Sequence, residues 1–304
     1  GRGAPDRGNI IDELASSLLE AGVESALFAE VEAEPSLEMV EAGRAALREG
    51  DCDLVVAIGG GSAMDVGKAI GALAGTDEPI STFFPGAPTP GGGVPVIALP
   101  TTSGTGAEVT PNSVLSNPEN GEKASIRGEG LLPEVAIVDP ELTLTLPPAQ
   151  TAYSGLDALV QAIEAYTSIG ANPFSDPLAE EATARIAGSL VTAFEDGANL
   201  AAREDMALGS LFAGLALASA RLGLVHGLAH PIGILYHLPH GQVCGMLMPY
   251  VMEYNLEAAG PRYARLAERV GAGSTAADLP AWFRDISAQV GLPDVFGPFG
   301  LTES

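Results

Sequence analysis

Residues 53–58 read Asp-Leu-Val-Val-Ala-Ile and run straight into Gly59-Gly60-Gly61-Ser62, after which a helical pattern occupies 62–74. An apolar run without polar alternation is buried on both faces, the environment of a strand inside a parallel sheet. A second strand is predicted at 94–99, leading into the loop Pro100-Thr101-Thr102-Ser103-Gly104-Thr105-Gly106, and a third at 134–138, ending at Asp139-Pro140. Helices are predicted at 9–21 and 38–48, a short strand at 25–28 and a hairpin around 117–122. Buried strands separated by helices predict an α/β domain whose parallel sheet is covered on both faces.

From residue 151 the pattern turns helical. Helices are predicted at 155–167, 177–195, 203–222 and 246–270, with no strand among them. The longest apolar stretch, 211–220, is too short to span a bilayer and reads as a buried helix. The division falls near Pro147-Pro148, which gives an α/β domain over 1–148 and an all-helical domain over 149–304. Both ends read as cut: the chain opens on a helix that should follow a strand, and it stops at Ser304 just after a turn-like segment at 297–300.

The formal charge of -25 argues against nucleic acid or an anionic membrane as partner. Lysine occurs only at Lys68 and Lys123. A genome that favours arginine explains the scarce lysine but not the acidic excess. That excess fits a halophilic setting, where a dense carboxylate surface stays hydrated and its self-repulsion is screened. Cys52 and Cys244 match no zinc or redox spacing, so a reduced cytoplasm is expected, and no secretory leader is visible in the opening residues.

Two loops and one cluster carry chemistry. Gly60, Gly61 and Ser62, with Asp65 in the following helix, lie where backbone amides can approach a pyrophosphate at a helix N-terminus. Met64 breaks the stricter dinucleotide fingerprint and Ser62 the phosphate-binding P-loop, so a plain tight turn remains the competing reading. The Ser/Thr/Gly loop at 100–106 offers hydroxyls and amides at the carboxyl end of a parallel strand, where such sheets bind ligands. All 4 histidines fall between His226 and His240. His226 and His230 share a helix face; Pro231 and Gly233 predict that this helix bends or ends, and His240 follows a Leu-Pro turn. Neutral imidazoles suit Fe(II) or Zn(II), and such a site needs a carboxylate as well. Asp157, on a largely apolar helix, is a candidate for it, since an unpaired aspartate is costly to bury and a cation would explain it.

The strings GGGSAMDVGKAIG, PTTSGTGAEVT, EVAIVDPELTLTLP, DALVQAIEAYTS, NPFSDPLA and GLVHGLAHPIGILYHLPHG resemble the iron-containing (group III) alcohol dehydrogenases, in the same order and over nearly the whole chain. That family is related to glycerol dehydrogenase and 3-dehydroquinate synthase. The resemblance implies a Rossmann-like, dinucleotide-binding α/β domain over 1–148, an all-helical metal-binding domain over 149–304 and a metal in the cleft between them. It implies hydride transfer between a small alcohol and NAD or NADP, aided by Fe(II) or Zn(II), in a cytoplasmic homodimer.

Carried over residue by residue, Gly60, Gly61, Ser62 and Asp65 hold the pyrophosphate. Thr101, Thr102 and Thr105 line the same pocket, Lys123 lies near the ribose and Leu142 beside the dinucleotide. Asp157, His226 and His240 bind the metal, and His230 stands near the nicotinamide as a proton relay. His237 falls at a variable position and reads as a surface or outlying residue. The family's second helix ligand, a histidine four residues after the aspartate, is Gln161 here, a weak ligand at best that leaves room for a water. Polyol oxidation of the glycerol dehydrogenase kind, a maleylacetate-type reductase, a dehydroquinate-synthase-like lyase and a non-catalytic binding protein are the competing readings.

Overall fold

The computed structural model describes residues 10–293 and 295–297. Asn9 of the first expected helix, Ser304 and most of the turn-like segment at 297–300 lie outside these residues. The chain forms two compact units: one runs to Thr101 and resumes over Ala107–Asp139, and the other comprises Thr102–Gly106 and the chain from Pro140 onward.

The first unit contains α1 (Ile10–Glu20), α2 (Leu37–Glu49), β1 (Val55–Gly59), α3 (Gly61–Ala72), β2 (Val96–Pro100), the hairpin β3 (Asn112–Asn117) and β4 (Glu122–Arg127), and β5 (Val135–Ala136). Strands β1, β2 and β5 form a parallel sheet in that order, with Val55 opposite Val96 and Ile97 opposite Val135. The apolar strand runs of the sequence are therefore the parallel strands, and the expected hairpin is present as the antiparallel pair β3–β4.

Helix α3 sits close on this sheet because two glycines face it. A Cβ on Gly67 would lie 2.6 Å from the Ala57 side chain, and one on Gly71 would lie 2.4 Å from that of Val96. Spaced one helical turn apart, they remove the side chains that would hold the helix off β1 and β2. From its other flank, α3 sends the fully buried Lys68 to the Ala107 and Thr110 carbonyls, at 2.9 and 3.2 Å, and to Asp65 at 3.3 Å. Those bonds satisfy an ammonium that burial would otherwise make very costly.

The expected strand at 25–28 is absent. Among the described residues this segment pairs with no strand, and Leu27 is exposed. A short β-prone run becomes a strand only where a ladder partner offers its backbone groups.

The second unit contains α4 (Pro148–Thr167), α5 (Ser175–Glu195), α6 (Leu200–Ala220), α7 (Leu224–Tyr236), α8 (His240–Tyr254), α9 (Leu256–Arg269) and α10 (Asp278–Gln289), with no strand among the described residues. Helix α4 is the axis of its core: every residue from Gly155 to Tyr166 is buried. The single helix expected at 246–270 is two helices that meet at Asn255, whose N–H closes the end of α8 on the Val251 and Met252 carbonyls. Pro231 does not end its helix, since α7 runs through it to Tyr236. The apolar stretch at 211–220 lies within α6, and no single described helix is long and apolar enough to cross a membrane.

The tight seat of α3 is testable. Gly67→Ala should lower the unfolding free energy by about 1–3 kcal/mol through overpacking against Ala57, read as a shifted denaturant midpoint at unchanged m-value.

Candidate active site

Along the buried face of α4, polar side chains recur at Asp157, Gln161 and Glu164, spaced so that all three line one face. Each is at most 4% exposed. Over 155–165, otherwise Gly, Leu, Val, Ile and Ala, that stripe is the reason to look for a ligand.

Helix α7 begins against this stripe. Its N-cap, Gly223, is so close to Glu164 that a Cβ would lie 2.8 Å from Oε1. Glu164 Oε1 accepts the Val225 backbone N–H at 2.7 Å, and Oε2 accepts Nδ1–H of His226 at 2.6 Å. A carboxylate can only accept, so the proton of a neutral His226 ring sits on Nδ1 and the Nε2 lone pair is aimed away from Glu164. Helix α8 arrives in the same way: a Cβ on Gly241 would lie 2.0 Å from the Tyr153 carbonyl oxygen, so only glycine lets the first turn of α8, with His240, approach α4 this closely.

The result is a convergence of donor atoms. His226 Nε2 and His240 Nε2 lie 3.4 and 3.6 Å from Asp157 Oδ1, and Cys244 Sγ lies 3.5 Å from His240 Nε2. One ligand atom from each of these four residues falls within 4.8 Å of the others. Ligands held tetrahedrally at ~2.1 Å from a single ion are ~3.4 Å apart, close to the separations observed. Asp157 Oδ1 and His226 Nε2 are buried and make no hydrogen bond. Two unpartnered buried acceptor atoms, facing each other across an ion-sized gap, fit a divalent cation.

Electrostatics agree. Burial pushes the Asp157 carboxyl up, but contact with His226 and the charge of His240 outweigh it and hold it below the usual value. Burial pulls the His226 imidazole down, yet Cys244, Asp157 and Glu164 raise it well above its ordinary range. Burial pushes the Cys244 thiol up to about 11.

His230, one turn after His226, stacks on the His240 ring with centroids 4.9 Å apart. His237 is exposed and caps α7 in a left-handed conformation. Gln161 donates from Nε2 to Asp157 Oδ2 at 2.9 Å, so in that contact it is a hydrogen-bond donor that braces the aspartate. Glu164 and Cys244 were not singled out from the sequence. Glu164 repeats the face of Asp157 seven residues on, and Cys244 follows His240 by one turn, so the helical period was the available signal.

In the first unit, Gly60 caps α3 without a side-chain hydrogen bond, which leaves the first-turn amides of Gly61 and Ser62 at the positive helix end. This fits a bound phosphate. The Ser62 hydroxyl donates to the Ala33 carbonyl at 2.8 Å, and the Thr101 N–H donates to the Gly59 carbonyl at 2.8 Å. Asp65 is engaged elsewhere: Oδ2 accepts the Val114 N–H at 3.1 Å and Oδ1 pairs with Lys68. Burial pushes this carboxyl up and the Lys68 ammonium down, although each opposes the shift of the other. Lys123 pairs with Glu34 at 2.7 Å. Thr102, Thr105 and Leu142 belong to the helical unit, where Gly104 and Gly106 of the same loop pack against Ser154 of α4 and Gly214 of α6.

A glycine-capped helix after a parallel strand, in a chain that also carries a cation-seeking donor cluster, defines a metal- and nucleotide-dependent enzyme. Residues 2–140 match the family model "Iron-containing alcohol dehydrogenase", and residues 151–302 match "Fe-containing alcohol dehydrogenase family, C-terminal". The chain is 40% identical to long-chain-alcohol dehydrogenase 1 of Geobacillus thermodenitrificans (strain NG80-2) over 305 residues, covering 97% of this chain and 77% of that protein. It is also 40% identical to the 1,3-propanediol dehydrogenase of Klebsiella pneumoniae over 302 residues, covering 97% and 78% respectively. Among solved structures, the sulfoacetaldehyde reductase from Bifidobacterium kashiwanohense in complex with NAD+ superposes with a TM-score of 0.91 at 36% identity, covering 97% of this chain and 79% of that one. The chain therefore belongs to the iron-containing alcohol dehydrogenase family, and it is a metal-dependent oxidoreductase acting between an alcohol and NAD(P).

Glu164 orients the His226 ring from behind, and its removal has a measurable consequence. Glu164→Gln should weaken metal binding by roughly 10- to 100-fold while the fold is kept, as read by competition with a chromogenic chelator.

Proposed function

We propose that Asp157 Oδ1, His226 Nε2 and His240 Nε2 hold one Fe(II) or Zn(II), and that the amides of Gly60, Gly61 and Ser62 hold the pyrophosphate of NAD or NADP. When bound, the cation supplies Lewis acidity toward an alcohol or carbonyl oxygen, and the nicotinamide gives or takes the hydride. The observation that carries the reading is the buried, unpartnered pair Asp157 Oδ1 and His226 Nε2.

The chain's own groups do the positioning. Gln161 and Glu164 fix the aspartate and the first imidazole, so little reorganisation is needed as charge develops. His230, stacked on His240 and only partly buried, carries the proton between the substrate hydroxyl and solvent. At α3 the phosphate meets helix amides, while Asp65 contributes by tying α3 to β3 rather than by touching an anion it would repel. Thr101, Thr102 and Thr105, with Lys123 toward the ribose and Leu142 against the dinucleotide, complete the nucleotide side of this reading. The lyase alternative needs free cations for a substrate phosphate. In the helical unit Arg203, Arg262, Arg265 and Arg269 are instead bound to the chain's own carbonyl, hydroxyl or carboxylate oxygens.

The substrate class is a small alcohol and its aldehyde. The formal charge of -25 supports a halophilic protein and argues against nucleic-acid partners. The cytoplasmic homodimer rests on the family resemblance, and sedimentation tests the assembly.

Chelation of the purified protein should abolish aldehyde-dependent NAD(P)H oxidation, and Fe(II) or Zn(II) should restore it, whereas Asp157→Asn should not recover. Full turnover after complete metal removal overturns the reading. Added KCl should raise the thermal midpoint by screening like charges over a Debye length of about 10 Å or less; a midpoint that falls with salt removes the halophilic part alone.

A further inference from the structure

Position 161 offers a cation only a neutral amide. The Gln161 nitrogen donates to Asp157 Oδ2, the aspartate oxygen other than the one facing the histidines, and its Oε1 is buried without a hydrogen bond; a neutral amide oxygen is a weaker donor than a thiolate for a zinc-type ion. A different donor reaches the cluster from α8. Cys244 follows His240 by one helical turn, so thiol and imidazole share a face. It is fully buried, its Sγ is 3.5 Å from His240 Nε2, and it lies within 4.8 Å of the same Asp157 and His226 ligand atoms that lack partners. A metal-bound nitrogen at ~2.1 Å and sulfur at ~2.3 Å in tetrahedral array are ~3.6 Å apart, which the His240–Cys244 separation matches.

We propose that Cys244 is the fourth metal ligand, bound as a thiolate in preference to the neutral amide of Gln161, and that it turns the site toward Zn(II) over Fe(II). The inference rests on the cation reading above. The bond forms between Sγ and the ion, and the thiol proton leaves to solvent, as a coordinating thiol is deprotonated outright. Thiolate is a soft donor, and softness is what separates zinc sites from sites built only of oxygen and nitrogen.

The full chain loaded with Zn(II) and, separately, with Co(II) tests this without any turnover assay. Zinc-edge X-ray absorption should find one sulfur at about 2.3 Å beside nitrogen and oxygen. The cobalt form should show a thiolate-to-metal charge-transfer band in the near ultraviolet. Cys244→Ala should lose both signals and reduce the zinc-over-iron preference by about tenfold or more. Stoichiometric metal in the wild-type protein with only nitrogen and oxygen around it overturns the proposal and leaves Cys244 a small buried apolar residue. A wild-type chain that takes up no divalent ion at all overturns the underlying cation reading, a distinct result.

Discussion

A carboxylate buried in the axis of a helical core is the constraint around which this molecule is arranged. Asp157 is 3% exposed within a run buried without a break from Gly155 to Tyr166, and one of its oxygens has no hydrogen bond. An uncompensated buried ion costs several kcal/mol, a large share of the 5–15 kcal/mol that holds a typical domain together. Two kinds of positive charge can answer it: a divalent cation shared with His226 and His240, or protons on those imidazoles. Burial lowers the His226 imidazole, yet Cys244, Asp157 and Glu164 raise it well above its ordinary value, the direction that the second route requires. Protons and metal therefore compete for the same lone pairs.

Backbone approach delivers the ligands. Gly241 brings α8 onto α4, and Gly223 starts α7 against Glu164. In the other unit Gly67 and Gly71 seat α3 on the sheet by the same means. At these four positions glycine lets a helix come closer to its neighbour than a side chain would allow.

The strands and glycine turn were legible because their signal is local: an apolar run, then glycines, then a helical period. Asp157, His226 and His240 stood out by rarity and helical spacing, together with the family likeness, and the structure brings the three into one cluster. Glu164 and Cys244 were harder, since a glutamate on a helix is ordinarily a solvated residue and a lone cysteine fits no ligand spacing; their meaning appears only once α4, α7 and α8 converge. The segment 25–28 had strand-like composition without a partner, a condition that no local reading tests. The break at Asn255 lay inside a continuous apolar pattern, and α10 carries its buried Leu279, Phe283 and Ile286 at a helical spacing that was overlooked.

Glu164 grips two things at once, the Val225 amide with one oxygen and the His226 ring with the other. The opening turn of α7 and the aim of the imidazole thus form a single mechanical element. Unwinding that turn swings the ring aside. Under the proposed ligation, loss of the ion would be tied to fraying of the helix, and the rate at which the Val225 amide trades its hydrogen for deuterium would gauge occupancy from the backbone alone.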